Sequence, residues 1–337
     1  MKPINQQTVV ITGASSGIGR ETALAFAERG ASLVLASRNE TTLREVATEI
    51  QQRGGKAHVV VTDVGIWEDI DQLAREAVEQ FGGIDTWVNN AAVNEHARVE
   101  QMTIEEIERI IQVDLMGQIY GMKAALSQMK RQGNGTIINV ASILAKRGAP
   151  LHAPYVAAKH GIAGFTETLR LELMQERSPI NLTLVMPAYI NTPFFINARS
   201  KLGVKPRPVP PIYEPQVVAE AVLFAAEHRR RDIIVGGSGA VLDMLQRISP
   251  SLVDRLMLFR GFMFEQQKTG QPDDGQDNLF NADAGVRSTI GEWGQESKST
   301  SLYTRHLEFY PNRKRLLFSV LTVGAVMLTR RLGRQSQ

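Results

Sequence analysis

The chain has 337 residues, 43% hydrophobic and 22% charged, a formal net charge of +3 and no cysteine. That suits a soluble globular protein of one large domain plus an extension, or of two domains, and it excludes disulfides, thiolate metal sites and cysteine nucleophiles. Beyond Pro311 lie six basic residues (Arg313, Lys314, Arg315, Arg330, Arg331, Arg334) and no acidic one, so taking these six from +3 leaves −3 for residues 1–310, with no basic patch there for nucleic acid.

In chain order, MKPINQQ carries no apolar run, so no secretory signal is expected. Seven short runs then read as strands: TVVIT (8–12), SLVLA (32–36), HVVVT (58–62), TWVNN (86–90), TIINVAS (136–142), NLTLVM (181–186) and DIIVG (232–236). Near-continuous apolar runs mark strands buried on both faces of a parallel sheet. Helical patterns such as RETALAFAERG separate them, so the expected fold is α/β, a Rossmann-like doubly wound seven-stranded parallel sheet with helices on both faces.

The first strand runs into TGASSGIGR, where Gly13, Gly17 and Gly19 precede a helical pattern. Glycines there allow a tight turn and close approach of a pyrophosphate to a helix N-terminus. The second strand ends at Ser37 and Arg38, where an acidic residue would favour NAD; a guanidinium pairs instead with a 2′-phosphate, which points to NADP(H). The plainer reading of Arg38 is an exposed loop-tip arginine. Asp63, closing the third strand, is a weaker candidate for binding the adenine. In HAPYVAAKHG (152–161), Tyr155 and Lys159 stand four apart, one turn along one helix face, an alignment that chance also produces.

Beyond the last strand, SPSLVDRLMLFRGFMF (249–264) reads as a helix whose Leu252, Leu256, Phe259 and Phe262 would form an oligomer interface, a pocket wall or core. Residues 265–300, rich in Gln, Asp, Gly and Ser, read as a linker or a loosely attached extension. The apolar LLFSVLTVGAVMLT (316–329), flanked by RKR and RRLGR, would span about 21 Å as a helix, short of the ~30 Å hydrocarbon core. A surface anchor through residues 313–334, a short span, and a helix docked on protein are three competing readings. His96, His152 and His160 lack metal spacing, and no metal is expected.

Together TGASSGIG, NNAA (89–92), Ser142 after a strand and YVAAK (155–159) resemble the short-chain dehydrogenase/reductase family, over roughly residues 5–245. The resemblance implies residues 1–245 as one Rossmann domain, while composition alone marks 246–300 as a helix and polar linker and 301–337 as a basic-flanked tail helix. It implies Tyr155 as general acid–base, Lys159 lowering its pKa and holding the nicotinamide ribose, and Ser142 orienting the substrate oxygen. Thr12, Gly13, Ser15, Ser16, Gly17, Ile18, Gly19, Ser37, Arg38, Asp63, Val64, Asn90, Pro187, Ile190 and Thr192 would bind the cofactor. Three positions depart from the family pattern. Asp114 replaces an asparagine in VDLMG, which would hold Lys159 as an ammonium while opposing phenolate formation; Ala92 and Ala188 replace glycines and narrow the cleft. Phe194, Phe195 and Ile196 fall in the family's substrate-covering loop, where they close over an apolar substrate or pack the loop to the body.

The resulting expectation is an NADP-dependent oxidoreductase interconverting a ketone or aldehyde and an alcohol, small or lipophilic. It would be cytoplasmic and homo-oligomeric, with the tail as the candidate membrane attachment. The alternatives are an NAD-dependent enzyme of the same family and a non-catalytic nucleotide-binding interaction protein.

Overall fold

All seven apolar runs form strands in the computed structural model, which describes residues 1–282, 285–310 and 312–313. They are β1 (Thr8–Thr12), β2 (Ser32–Ser37), β3 (Lys56–Val61), β4 (Thr86–Asn89), β5 (Thr136–Val140), β6 (Asn181–Pro187) and β7 (Asp232–Val235). Every pairing is parallel, in the order β7-β6-β5-β4-β1-β2-β3. β3 starts two residues before its apolar run because it is an edge strand, and its ends stay exposed.

Alternation along the strands divides the core between two faces. Val10, Val34, Trp87, Ile137 and Leu184 face α3 (Trp67–Phe81), α5 (Gly117–Gln132) and α6 (Ala153–Gln175). Val9, Ile11, Leu33, Leu35, Val88 and Val185 face α1 (Gly17–Glu28), α2 (Glu40–Gln52) and α7 (Pro215–Glu227). The sheet is therefore doubly wound, and its strand order reverses between β1 and β4, where a crevice opens beyond the carboxyl ends of the strands.

Between α3 and α5, α4 (Ile104–Ile111) starts with a capping box: Thr103 N–H donates to Glu106 at 2.7 Å and Glu106 N–H to the Thr103 hydroxyl at 3.3 Å. It runs into a π-helical turn, Gln112–Met116, before α5. At Gly117 a Cβ would come within 2.8 Å of Val64, so this turn lies against the end of β3 and carries Asp114 inward.

After β7 come α8 (Gly237–Ile248) and α9 (Pro250–Leu258). Leu252, Leu256, Phe259 and Phe262 are exposed, so they form neither core nor pocket wall. Residues 265–282 and 285–310 then cross back over the body. Leu279 is fully buried and Trp293 nearly so, which makes this stretch a docked segment instead of the loose linker its composition suggests. The chain returns to β7, where Gly236 N–H donates to the Thr304 hydroxyl at 3.0 Å. Among the described residues no helix is long and apolar enough to cross a membrane. The apolar stretch 316–329 lies outside the described residues.

Candidate active site

One cleft at the reversal point is lined by Gly13, Ser15, Ser16, Gly17 and Ile18, by Ser37, Arg38, Asp63, Val64 and Asn90, and by Ser142, Tyr155, Lys159, Pro187, Ile190 and Thr192. The sequence-selected residues thus converge; Thr12, Gly19 and Asp114 sit just behind the lining. Gly13 and Gly17 have φ of +68° and +51°, a region favouring glycine. At Gly19 a Cβ would meet the Gly13 carbonyl oxygen at 2.1 Å, so only glycine lets α1 start against the turn. Asn90 clasps this loop, its amide donating to the Thr12 and Gly13 carbonyls at 3.0 and 3.3 Å, while the Thr12 hydroxyl accepts from Asn90 N–H at 3.0 Å. Ser16, the N-cap residue of α1, makes no side-chain cap; Gly17 N–H donates to the Ser288 carbonyl at 3.1 Å, and the rest of the helix terminus faces the cleft as an anion site.

At the other end of the cleft, the Ser37 hydroxyl donates to the Asn39 carbonyl, and Asn39 caps α2 by accepting from Thr42 N–H at 2.9 Å. Asp63 is held by Arg109 at 2.6 Å and by Gly65 N–H at 2.9 Å. Arg38 lies close enough for Arg109 to act on it: burial and then the Arg109 charge lower the Arg38 pKa, and Asp63 opposes them. Two guanidiniums with one carboxylate leave net positive charge at the end of β2. Arg109, on the exposed-looking helix α4, carries no sequence signal for this role.

The chemistry-bearing side chains come from three elements. Ser142 follows β5 and accepts from Leu144 N–H at 3.1 Å in a short 3-10 turn. Tyr155 and Lys159 lie on the first turns of α6, with the Lys159 ammonium 5.1 Å from the Tyr155 ring centre. Asp114 reaches Lys159 at 3.4 Å and accepts from Val93 N–H at 2.8 Å. Both members of this ion pair are buried. Burial raises the Asp114 pKa to about 6 against the opposing pull of Lys159 and the Val93 amide. Burial, then the Asp114 charge, also push the Tyr155 phenol above its ordinary value; a hydrogen bond with Ser142 pulls the other way. Burial first, and the Asp114 charge second, therefore set the resting balance at Tyr155. The resting tyrosine is a protonated phenol.

Around them sits an aromatic wall. Phe194 is 5.5 Å from Tyr155 and 5.6 Å from Phe195, ring centre to ring centre. Phe195 in turn meets Trp293 edge-on at 5.9 Å, so Phe195 belongs to a packed cluster with Ile212 while both phenylalanines line the cleft. Two further polar residues stand here, Tyr189, which carries no sequence signal, and His152, which the sequence weighs only as a metal ligand. Tyr189 lines the cleft with its hydroxyl buried and without a hydrogen-bond partner among the described residues. His152 also lines it, accepting from the Asn94 amide at Nδ1 (3.0 Å) and donating from Nε2 to Gln267 Oε1 (2.5 Å), a tautomer that its partners' chemistry assigns. Burial lowers its pKa to about 4, so it is neutral. His96 meets it edge-on at 4.3 Å, and no group of three or more His, Asp or Glu among the described residues could hold a metal. His160 is exposed and elsewhere.

The residues fit a nicotinamide dinucleotide. A helix N-terminus without a side-chain cap faces the middle of the cleft, two neighbouring guanidiniums stand at one end, and a buried hydroxyl, phenol and ammonium stand at the other. Fold and site together define a nucleotide-binding α/β oxidoreductase. The short chain dehydrogenase family model matches residues 7–203. The protein belongs to the short-chain dehydrogenase/reductase family. An uncharacterized oxidoreductase of Bacillus subtilis (strain 168), YxnA, is 39% identical, covering 90% of this chain and 86% of its own. A match that long takes in part of the C-terminal extension. A short-chain dehydrogenase/reductase from Burkholderia phymatum, solved in complex with NAD, superposes with a TM-score of 0.68 at 25% identity, covering 75% of this chain and 96% of its own. An alcohol dehydrogenase from the archaeon Thermococcus sibiricus, complexed with 5-hydroxy-NADP, gives a TM-score of 0.59 at 28% identity, covering 68% and 95%.

Proposed function

We propose that the protein is an NADP-dependent oxidoreductase interconverting a ketone or aldehyde and an alcohol, on a small or lipophilic substrate. The observation that carries this reading is the convergence, in one cleft, of Ser142, Tyr155 and Lys159 with Arg38 at the far end, where the Arg109 charge adds to its own. When bound, the cofactor supplies or accepts the hydride at the substrate carbon. Tyr155 gives its phenolic proton to the substrate oxygen, and Ser142 hydrogen-bonds the same oxygen as negative charge develops on it. Lys159, held by Asp114, supplies a positive charge beside the tyrosine and would hold the nicotinamide ribose. A phenol kept protonated at rest suits proton donation, which favours reduction. The apolar wall of Phe194, Ile143 and Leu144 favours a substrate with hydrocarbon next to its carbonyl.

Arg38 supports NADP through its charge, and Ser37 beside it adds a hydroxyl without repelling a phosphate. One observation favours NAD instead: Arg38 already donates to the carbonyls of Asn278, Leu279 and Phe280 at 2.5, 3.3 and 3.5 Å. Titration with NADPH and NADH, followed by nicotinamide fluorescence, decides between them. The proposal expects tighter NADPH binding in the wild type, lost in Arg38→Ala with NADH binding unchanged. Equal affinities in both proteins would favour the NAD-dependent reading. Tyr155→Phe should bind nucleotide normally and turn over nothing, which distinguishes an enzyme from a nucleotide-binding interaction protein. A homo-oligomer, expected from the family, is checked by light scattering.

A further inference from the structure

We propose that the C-terminal extension, through residues 277–282 and 285–293, forms the outer wall of the cofactor site and retains the nucleotide in the cleft. The proposal rests on the reading that this cleft takes a nicotinamide dinucleotide. The described residues of the extension run beside the cleft in chain order, with Asn278, Ala282, Val286 and Arg287 in its lining. At the adenosine end the carbonyls of residues 278–280 fix the Arg38 guanidinium, and the Leu279 carbonyl accepts from Arg109 at 3.3 Å. The Ala282 carbonyl accepts from the Asn39 amide at 3.2 Å. Over the glycine loop, the Arg287 carbonyl accepts from Arg20 at 3.2 Å and the Ser288 carbonyl from Gly17 N–H at 3.1 Å. Toward the substrate end, Gly291 N–H donates to the Asn191 carbonyl and Trp293 N–H to the Asn191 side chain, at 3.2 and 3.1 Å.

This docking is specific. Leu279 is buried in the main core and Trp293 against Phe195 and Ile212, so each end of the crossing has an apolar anchor. Between them, Asn197 holds residue 286 in both directions: its side-chain oxygen accepts from Val286 N–H at 2.7 Å and its amide donates to the Val286 carbonyl at 2.9 Å. The segment roofs the cleft without filling it, since Asn278, Ala282 and Val286 line the same cavity as Ser142 and Tyr155. A nucleotide seated there is enclosed by the body on one side and by this strap on the other, so its exchange requires the strap to lift. The carbonyl cluster at 278–280 also makes the strap a positioning element for Arg38.

The test uses the full chain with Leu279→Ala and Trp293→Ala, one at each anchor, each checked for cooperative unfolding. Stopped-flow displacement of prebound NADPH, and separately of NADH, reads the release rate. Protease digestion reads cutting within 265–300 with and without nucleotide. The expected result is release faster by about tenfold or more in both variants, with nucleotide slowing the digestion of wild type. If Leu279→Ala does not fold, Trp293→Ala carries the comparison. Unchanged release rates in a folded variant, with digestion indifferent to nucleotide, would overturn the proposal. Nucleotide binding by the variants but not by wild type would overturn it too, because the strap would then be a plug. Retention of NADH alone, with faster release from the variants, would support the wall while removing the NADP assignment. Binding of neither nucleotide by any form would overturn both.

Discussion

Replacing Asp114 by Asn keeps the side chain's shape and removes one buried negative charge beside the Tyr155–Lys159 pair. The carboxylate lies 3.4 Å from the Lys159 ammonium, itself 5.1 Å from the Tyr155 ring centre. Those two steps put the charge within about 8.5 Å of the ring, where an effective dielectric of about 20 gives a repulsion of about 2 kcal/mol against a phenolate, or about 1.4 pH units. The Tyr155 pKa, which Asp114 helps to raise, should fall by about one unit or more in Asp114→Asn. The assay is the pH dependence of kcat/KM for alcohol oxidation, in which deprotonated Tyr155 is the base. The ascending limb should move to lower pH by that amount. A limb that stays in place would refute the electrostatic reasoning. A limb that moves to higher pH would refute it in a specific way: Lys159, stripped of its buried partner, would have lost its own proton, and the pair would have been needed to keep the ammonium charged.

The same residue makes a stability prediction with a definite sign. Its pKa is about 6 in the folded protein against an ordinary 3.8, so the folded state takes up the proton first as pH falls. The stability of wild type relative to Asp114→Asn should therefore rise from pH 7.5 to pH 5, by about 1.4 kcal/mol, measured by urea unfolding at both pH values; a constant difference would count against the raised pKa. Gly19→Ala should lose nucleotide affinity by about tenfold or more, since its Cβ collides with the Gly13 carbonyl and the Asn90 amide and displaces the loop; unaltered affinity in the titration would refute the close-approach argument.

The parallel sheet was legible because buried strands need uninterrupted apolar runs, and all seven runs became strands. The glycine loop and the Tyr155–Lys159 spacing were legible because each is a local pattern, complete within one turn or one helix. Arg109 was not: its part in the site depends on Asp63 and Arg38 arriving from other elements, and on a helix surface it looks like any solvated arginine. Tyr189 gave no signal for a similar reason, and His152 was set aside for want of metal spacing, the relevance of both being the cavity they face. The docked extension was hidden by its chemistry. Its partners are mainly its own backbone carbonyls and amides, which every residue type supplies, so a Gln-, Asp- and Gly-rich sequence can be firmly placed while reading as a linker. Leu279 and Trp293 are its two apolar anchors, too far apart to show a period.

The extension leaves the sheet at β7 and returns beside it, where Thr304 bonds Gly236 at the end of β7 and Arg305 pairs with Glu220 of α7. It is therefore a handle fastened at both ends, not a free arm. Lifting it frees only the conformations of a closed loop, and closing it again requires no search through space, because both feet stay in place. A single backbone cut between the feet would change its physics more than most substitutions: the handle would become two independent tails, each held by its own few contacts.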